Sequence, residues 1–271
     1  MNPVKINKKL IFQEFMNKAE KILFESQRVI GFWGYPDPEV FAQAKKQYSG
    51  HEIIDLDISY EMSNSGILPE AYCRIMKNVL DNAVALKDNL EVVIASVGEE
   101  KCDSGRFAAK ILEDMGFNVV QTRFNEFSVN STPFVPPLDT PISTSNLPLK
   151  DKIVAIMDNV IEKQEFEAQQ CSPEYGFWGV PPNDLSILEL FPDTTHVYGW
   201  TRCVEAGVPA DLELEMFVDE NVPTVFYAQT FCAKMQLAKY LAKKNDGLYV
   251  DVDDRASNSV KAKIEAFIKL G

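Results

Sequence analysis

Apolar positions along this chain alternate between two rhythms: short dense runs, and longer stretches in which apolar residues fall three and four apart. That alternation predicts strands and helices following one another. The run Glu91-Val92-Val93-Ile94-Ala95-Ser96-Val97 is β-branched and almost wholly apolar, which predicts a strand buried on both faces of a parallel sheet. Shorter runs at 28–32, 53–56, 118–120, 197–200, 223–229 and 248–252 read as further strands. Helical spacing marks 5–27 (Leu10, Ile11, Phe15, Ala19, Ile22, Leu23), 40–48, a helix begun by Pro69 (Ile75, Met76, Val79, Leu80, Ala83, Leu86) and 106–115. It continues at 149–169 (Ile153, Ile156, Met157, Val160, Ile161), 185–191, a stretch with Met235, Leu237, Ala238 and Leu241, and 257–270 (Val260, Ile264, Phe267, Ile268). Alternating strand and helix is the signature of an α/β fold with mainly parallel sheets.

One pattern occurs twice. Gly31-Phe32-Trp33-Gly34-Tyr35-Pro36 returns as Gly176-Phe177-Trp178-Gly179-Val180-Pro181, each copy after an apolar lead-in and before a Pro-containing helix start and a second strand. Glycine accepts the backbone angles of a sharp turn, and proline fits the first helical turn. The chain has only three tryptophans, and two of them stand in this motif. The repeat predicts two similar Rossmann-like lobes related by internal duplication, at 28–127 and 172–271. They are preceded by an N-terminal helix (1–27) and joined by a connector and helix (128–171) rich in Ser, Thr and Pro. Gly31, Gly34, Gly176 and Gly179, at the strand-to-helix turns, become the candidate cofactor-binding positions, because ligands of open α/β sheets sit beyond the carboxyl ends of strands.

Composition narrows the function. At 271 residues, with 46% hydrophobic and 25% charged residues, the chain is of ordinary globular make-up. A formal charge of −13 argues against a general nucleic-acid binder, which needs clustered Lys and Arg. No apolar run approaches the roughly 20 residues of a membrane span, and the N-terminus lacks a signal-peptide pattern, so a cytoplasmic protein is expected. Five scattered cysteines favour reduced thiols, metal ligands or core positions over a disulfide framework. Cys73, Cys102 and Cys232 share one setting, at a loop or strand end and at the mouth of a helix, where the dipole favours a thiolate able to ligate an iron–sulfur cluster. The opposing reading is that each cysteine is a small buried apolar side chain. Cys171 and Cys203 receive no role. Glu99-Glu100 and the acidic tip Asp251-Val252-Asp253-Asp254 read as solvated; Glu99-Glu100 is an acid/base candidate if a cleft closes around Cys102.

Several positions, in order, resemble the 2-hydroxyacyl-CoA dehydratase and benzoyl-CoA reductase family. They are the turn from Ile30 to Val40, Leu68-Pro69 with Cys73 and Lys77, Val92-Val93 leading to Cys102-Asp103 and Arg106, Gln229-Thr230-Phe231-Cys232, and Val252-Asp253-Asp254 with Ile264-Glu265-Ala266-Phe267. The resemblance implies an anaerobic, cytoplasmic iron–sulfur subunit with a 4Fe-4S cluster in a cleft between lobes, held by Cys73, Cys102 and Cys232. It also implies radical dehydration or reduction of an acyl-CoA-like thioester, an ATP-dependent iron–sulfur activator, and a second subunit of the same family or a homodimer. The chain departs from the family in carrying Trp33-Gly34 where a cysteine is usual, and in being shorter.

A second resemblance covers 97–120. This stretch is similar to the cobalamin-binding motif Asp-x-His-x-x-Gly and its following helix, with Cys102 where the cobalt-ligating histidine stands, and it implies a corrinoid-binding protein. A third reading is a non-enzymatic duplicated α/β subunit or small-ligand binding protein, with Trp33 and Trp178 as packing anchors at a lobe interface.

Overall fold

The computed structural model describes residues 17–98, 101–123, 140–161, 168–209 and 211–270. The chain is α/β, with two four-stranded sheets that are parallel throughout. It divides into two compact units, Met1–Glu70 with Ile75–Arg123, and Ala71–Arg74 with Phe124–Gly271.

The first unit runs α1 (Lys18–Glu25), β1 (Val29–Trp33), α2 (Pro38–Gln47), β2 (Glu52–Asp55), α3 (Arg74–Ala85), β3 (Leu90–Ser96), α4 (Asp103–Asp114) and β4 (Val119–Thr122). Its strand order is β2-β1-β3-β4. Every residue of β1 is buried, as are the last five of β3, which is why these runs lack polar alternation. α1 starts at Asn17, whose side chain accepts from Glu20 N while Glu20 answers to Asn17 N, a reciprocal capping box. α2 starts at Asp37, whose carboxylate accepts from the backbone of Glu39 and Val40 at 3.0 and 3.1 Å, with Pro38 in the first turn. A cap of this kind contributes about 1 kcal/mol.

The second unit contains α5 (Leu149–Ile161), β5 (Gly176–Trp178), a 3-10 helix (Leu185–Leu190), β6 (His196–Tyr198), α6 (Trp200–Glu205), α7 (Leu212–Met216), β7 (Thr224–Gln229), α8 (Lys234–Lys244), β8 (Leu248–Val252) and α9 (Asn258–Leu270). Its order is β6-β5-β7-β8, so its first strand, like β1, lies between its second and its third. The two Gly-Phe-Trp stretches are those first strands. One core cluster of this unit gathers Trp178, Tyr198, Phe226, Ala238 and Leu241.

Several local expectations change. The helix expected at 185–191 is a 3-10 helix of six residues, Leu185–Leu190, a run too short for an α-helix to repay its nucleation. The strand expected to run through Trp200 stops at Tyr198. Gly199 takes φ +74°, and Trp200 opens α6 instead. The helix expected from Pro69 begins at Arg74, so Cys73 precedes it. The third-strand exit reaches its helix at Asp103, earlier than the expected Arg106, with Cys102 as its N-cap. The first part of the expected leading helix, most of the Pro-rich connector, the end of the 149–169 helix and Glu99-Glu100 lie outside the described residues.

Candidate ligand site

In the first unit the chain leaves β1 toward one side of the sheet to form β2 and returns to the other side to form β3, which makes the carboxyl ends of β1 and β3 a topological switch point. Gly34 lies there with φ +69°, and its N–H donates to Asp57 Oδ2 at 2.9 Å. Lys101 Nζ is 3.3 Å from the same oxygen. Asp57 N donates to Asp55 Oδ1 at 3.0 Å, which folds the exit of β2 back on itself. The Lys101 stem lies so close over Gly34 that a Cβ there would stand 2.3 Å from Lys101 Cε. Lys101 and Asp57 are only 12% and 18% exposed at their side chains.

The supports are as specific as the site. Two α3 amides grip the β2 exit, with Asn78 Nδ2 donating to Asp57 O at 3.0 Å and Asn82 Nδ2 to Leu56 O and Ile58 O at 2.9 and 2.8 Å. Trp33, fully buried, donates its indole N–H to Ser96 O at 3.1 Å across the switch point. Asp37 N donates to Thr122 Oγ1 at 2.8 Å. Ser96 Oγ, buried beside Gly34, has no partner among the described residues.

Burial pushes the Asp55 carboxyl well above its ordinary range, and the charge of Asp57 and a hydrogen bond to it push the same way. Burial works to lower Lys101, but the charge and hydrogen bond of Asp57, then Asp55 and Cys102, outweigh it and raise the lysine. Burial and the two carboxyls also raise Tyr60. Asp55 is thus the member of the trio most ready to hold a proton, beside an Asp57–Lys101 pair whose opposite charges offset one another. Such a group offers hydrogen-bond donors and acceptors side by side.

The residues expected from the sequence fall in both units. Gly34 is in this site, and Cys102 stands exposed at the α4 N-cap, making no side-chain cap hydrogen bond. Gly31 and Gly176 lie inside strands, where a Cβ would meet Leu90 and Leu56, or Thr224 and Tyr198, so packing accounts for both. Gly179 follows β5, its Cβ position 2.8 Å from Tyr227 O. In the second unit Gln229, at the end of β7, accepts from Asn183 Nδ2 at 3.2 Å and Tyr227 OH at 3.1 Å and donates to Asp253 O. Half-buried Cys232 follows it through a turn in which Phe231 takes φ +63°. Cys73 is buried and, with Ala71–Arg74, groups with the second unit, where Arg74 pairs with Asp254 just past β8 at 3.3 Å.

Among the described residues no group of three or more His, Cys, Asp or Glu stands close enough to hold a metal ion. Cys203 is buried, and burial pushes its thiol up. The Asp57–Lys101 pair and the Asn78/Asn82 grip were not among the sequence candidates. The amides carried a signal, polar residues four apart on the apolar stripe of α3. No helix of the described residues is long and apolar enough to cross a membrane. No protein-family model matches this chain, and no curated protein matches it.

Proposed function

We propose that this chain is a cytoplasmic small-ligand binding protein whose first unit takes an uncharged, hydrogen-bonding ligand at the carboxyl ends of β1 and β3. The observation that carries this reading is the Asp55–Asp57–Lys101 group on the Gly34 N–H: hydrogen-bonded and ion-paired within itself, largely buried, and placed at the topological switch point. The unpartnered Ser96 hydroxyl beside it adds polar capacity that the described residues leave unused. A thermal-shift screen of small uncharged polyols and amides against the full chain tests it. A stabilising compound is expected, bound about tenfold more weakly or worse by Asp57→Asn. A screen without hits, or hits that bind the variant equally well, overturns the reading.

A second reading is favoured by one observation. Cys73 and Cys232 belong to one unit, both near strand carboxyl ends, and Cys102 stands exposed at a strand exit of the other. On this reading the chain is an iron–sulfur subunit of the dehydratase and reductase type, working with an acyl-CoA-like substrate, a partner subunit and an ATP-dependent activator. A bound cluster would supply low-potential electron transfer, with the three thiols as its donors. Among the described residues no group of three metal-ligating side chains forms at any of the three thiols. Iron and acid-labile sulfide content decide it.

A further inference from the structure

Arg202 stands in the first turn of α6, beyond the carboxyl end of β6, with 6% of its surface exposed. Among the described residues its side chain makes no hydrogen bond or ion pair, and its Nε is enclosed without an acceptor. Arginine is almost never buried unless it is paired. Its guanidinium lies over two rings, 5.8 Å from the centroid of Tyr198 and 5.3 Å from that of Phe217. Ring faces attract the positive charge, but they give no lone pairs to the five N–H groups that spread in the guanidinium plane.

The carboxylate whose charge acts on Arg202 is Glu205, on the same helix, and it is engaged elsewhere, accepting from Ile142 N, Ser143 N and Ser143 Oγ. Asp219, whose charge acts on Tyr198 and His196, accepts from Asn221 N and Nδ2 in its own turn. A second cation, the fully buried Lys152, acts with Arg202 on His196 and donates hydrogen bonds to Asp193 O and Thr195 O at 2.8 and 2.6 Å. Burial works to lower Arg202, yet an arginine stays charged in a protein. A positive centre inside a chain of net charge −13 is thus left with its hydrogen-bonding plane unfilled.

We propose that Arg202 is the receptor for an oxyanion, the carboxylate or phosphate group of a small ligand, bound in the guanidinium plane at the carboxyl end of β6. This is independent of the ligand assigned to the first unit. The planar fork matches two oxygens of either group, while Tyr198 and Phe217 hold its faces and fix its orientation.

The test uses the full-length, 15N-labelled protein, with the Arg202 Nε–H signal assigned by triple-resonance experiments. It is titrated with inorganic phosphate and, separately, with acetate at constant ionic strength, sodium chloride serving as the blank. A saturable shift of that signal is expected with at least one of the two; phosphate alone identifies a phosphoryl ligand and acetate alone a carboxylate. Arg202→Lys keeps the charge and loses the fork, and should bind the same anion about tenfold more weakly or worse. No shift with either anion, or equal binding by Arg202→Lys, overturns the proposal. The wild-type titration decides the matter even if the variant fails to fold.

Discussion

Burial and the neighbouring Asp57 push the Asp55 carboxyl up, and they outweigh two influences that pull it down, the backbone N–H of Asp57 and the charge of Lys101. A carboxyl whose folded pKa lies above its unfolded value binds more protons folded than unfolded between those two values, so stability falls as pH rises through that window. Below the unfolded value, about 3.9, both states are protonated and the penalty vanishes. Asp55→Asn reproduces the protonated form: its Oδ1 still accepts from Asp57 N, and its amide donates where the hydroxyl did. The variant should therefore gain on the wild type steadily from about pH 4 upward. Urea unfolding of both proteins at pH 4, 6 and 8 measures the gap, and a gap that stays constant across the three would contradict the raised Asp55 carboxyl. The site was only half legible beforehand. Gly34 announced itself through the repeated turn, whereas Asp57 and Lys101 are joined only when β2 and β3 are placed on opposite sides of β1, a relation that spacing along the chain does not express.

At the scale of elements, β1 and β5 carry the same letters in the same place in their sheets, yet their glycines face different neighbours. A Cβ on Gly31 would meet the ends of Leu90 and Leu56 at 2.7 and 2.9 Å, flexible tips that can turn aside. On Gly176 it would meet Thr224 Oγ1 at 2.4 Å and the Tyr198 ring at 2.6 Å. The ring is rigid, and Thr224 is held by its bond to Val222 O at 2.8 Å. Gly176→Ala should cost about 2–3 kcal/mol and Gly31→Ala about 1 kcal/mol. Equal losses in denaturant unfolding would mean that the two strands are packed alike. The same contrast explains which elements could be read from the sequence. β3 declares itself by burial on both faces and α2 by Asp37-Pro38, each a local signal. α6 did not, because Tyr198-Gly199-Trp200-Thr201 has the aromatic, β-branched look of a strand. Only the left-handed backbone at Gly199 turns that segment into a helix and brings Arg202 under Tyr198 and Phe217.

At the scale of the whole molecule, two parallel sheets of the same strand order suit several chemistries, since fold alone does not fix function. The cysteines separate the readings because sulfur is what an iron–sulfur cluster requires and what a hydrogen-bonding ligand site does without. Cys102 is exposed with its side chain unused as a cap, Cys232 is half-buried, and Cys73 is buried. As plain packing residues, Cys73 would tolerate a small apolar substitute at modest cost and Cys102 almost any substitute. As ligands, all three would be needed together. Protein purified without oxygen should, on the small-ligand reading, be colourless and free of iron, sulfide and cobalt after reconstitution, and Cys102→Ala should leave its thermal stability unchanged within about 0.5 kcal/mol, as expected of an exposed position. About four irons and four sulfides per chain, lost in Cys102→Ala, would instead carry the iron–sulfur reading. Cobalt in place of iron would move the assignment to a corrinoid held without the usual histidine.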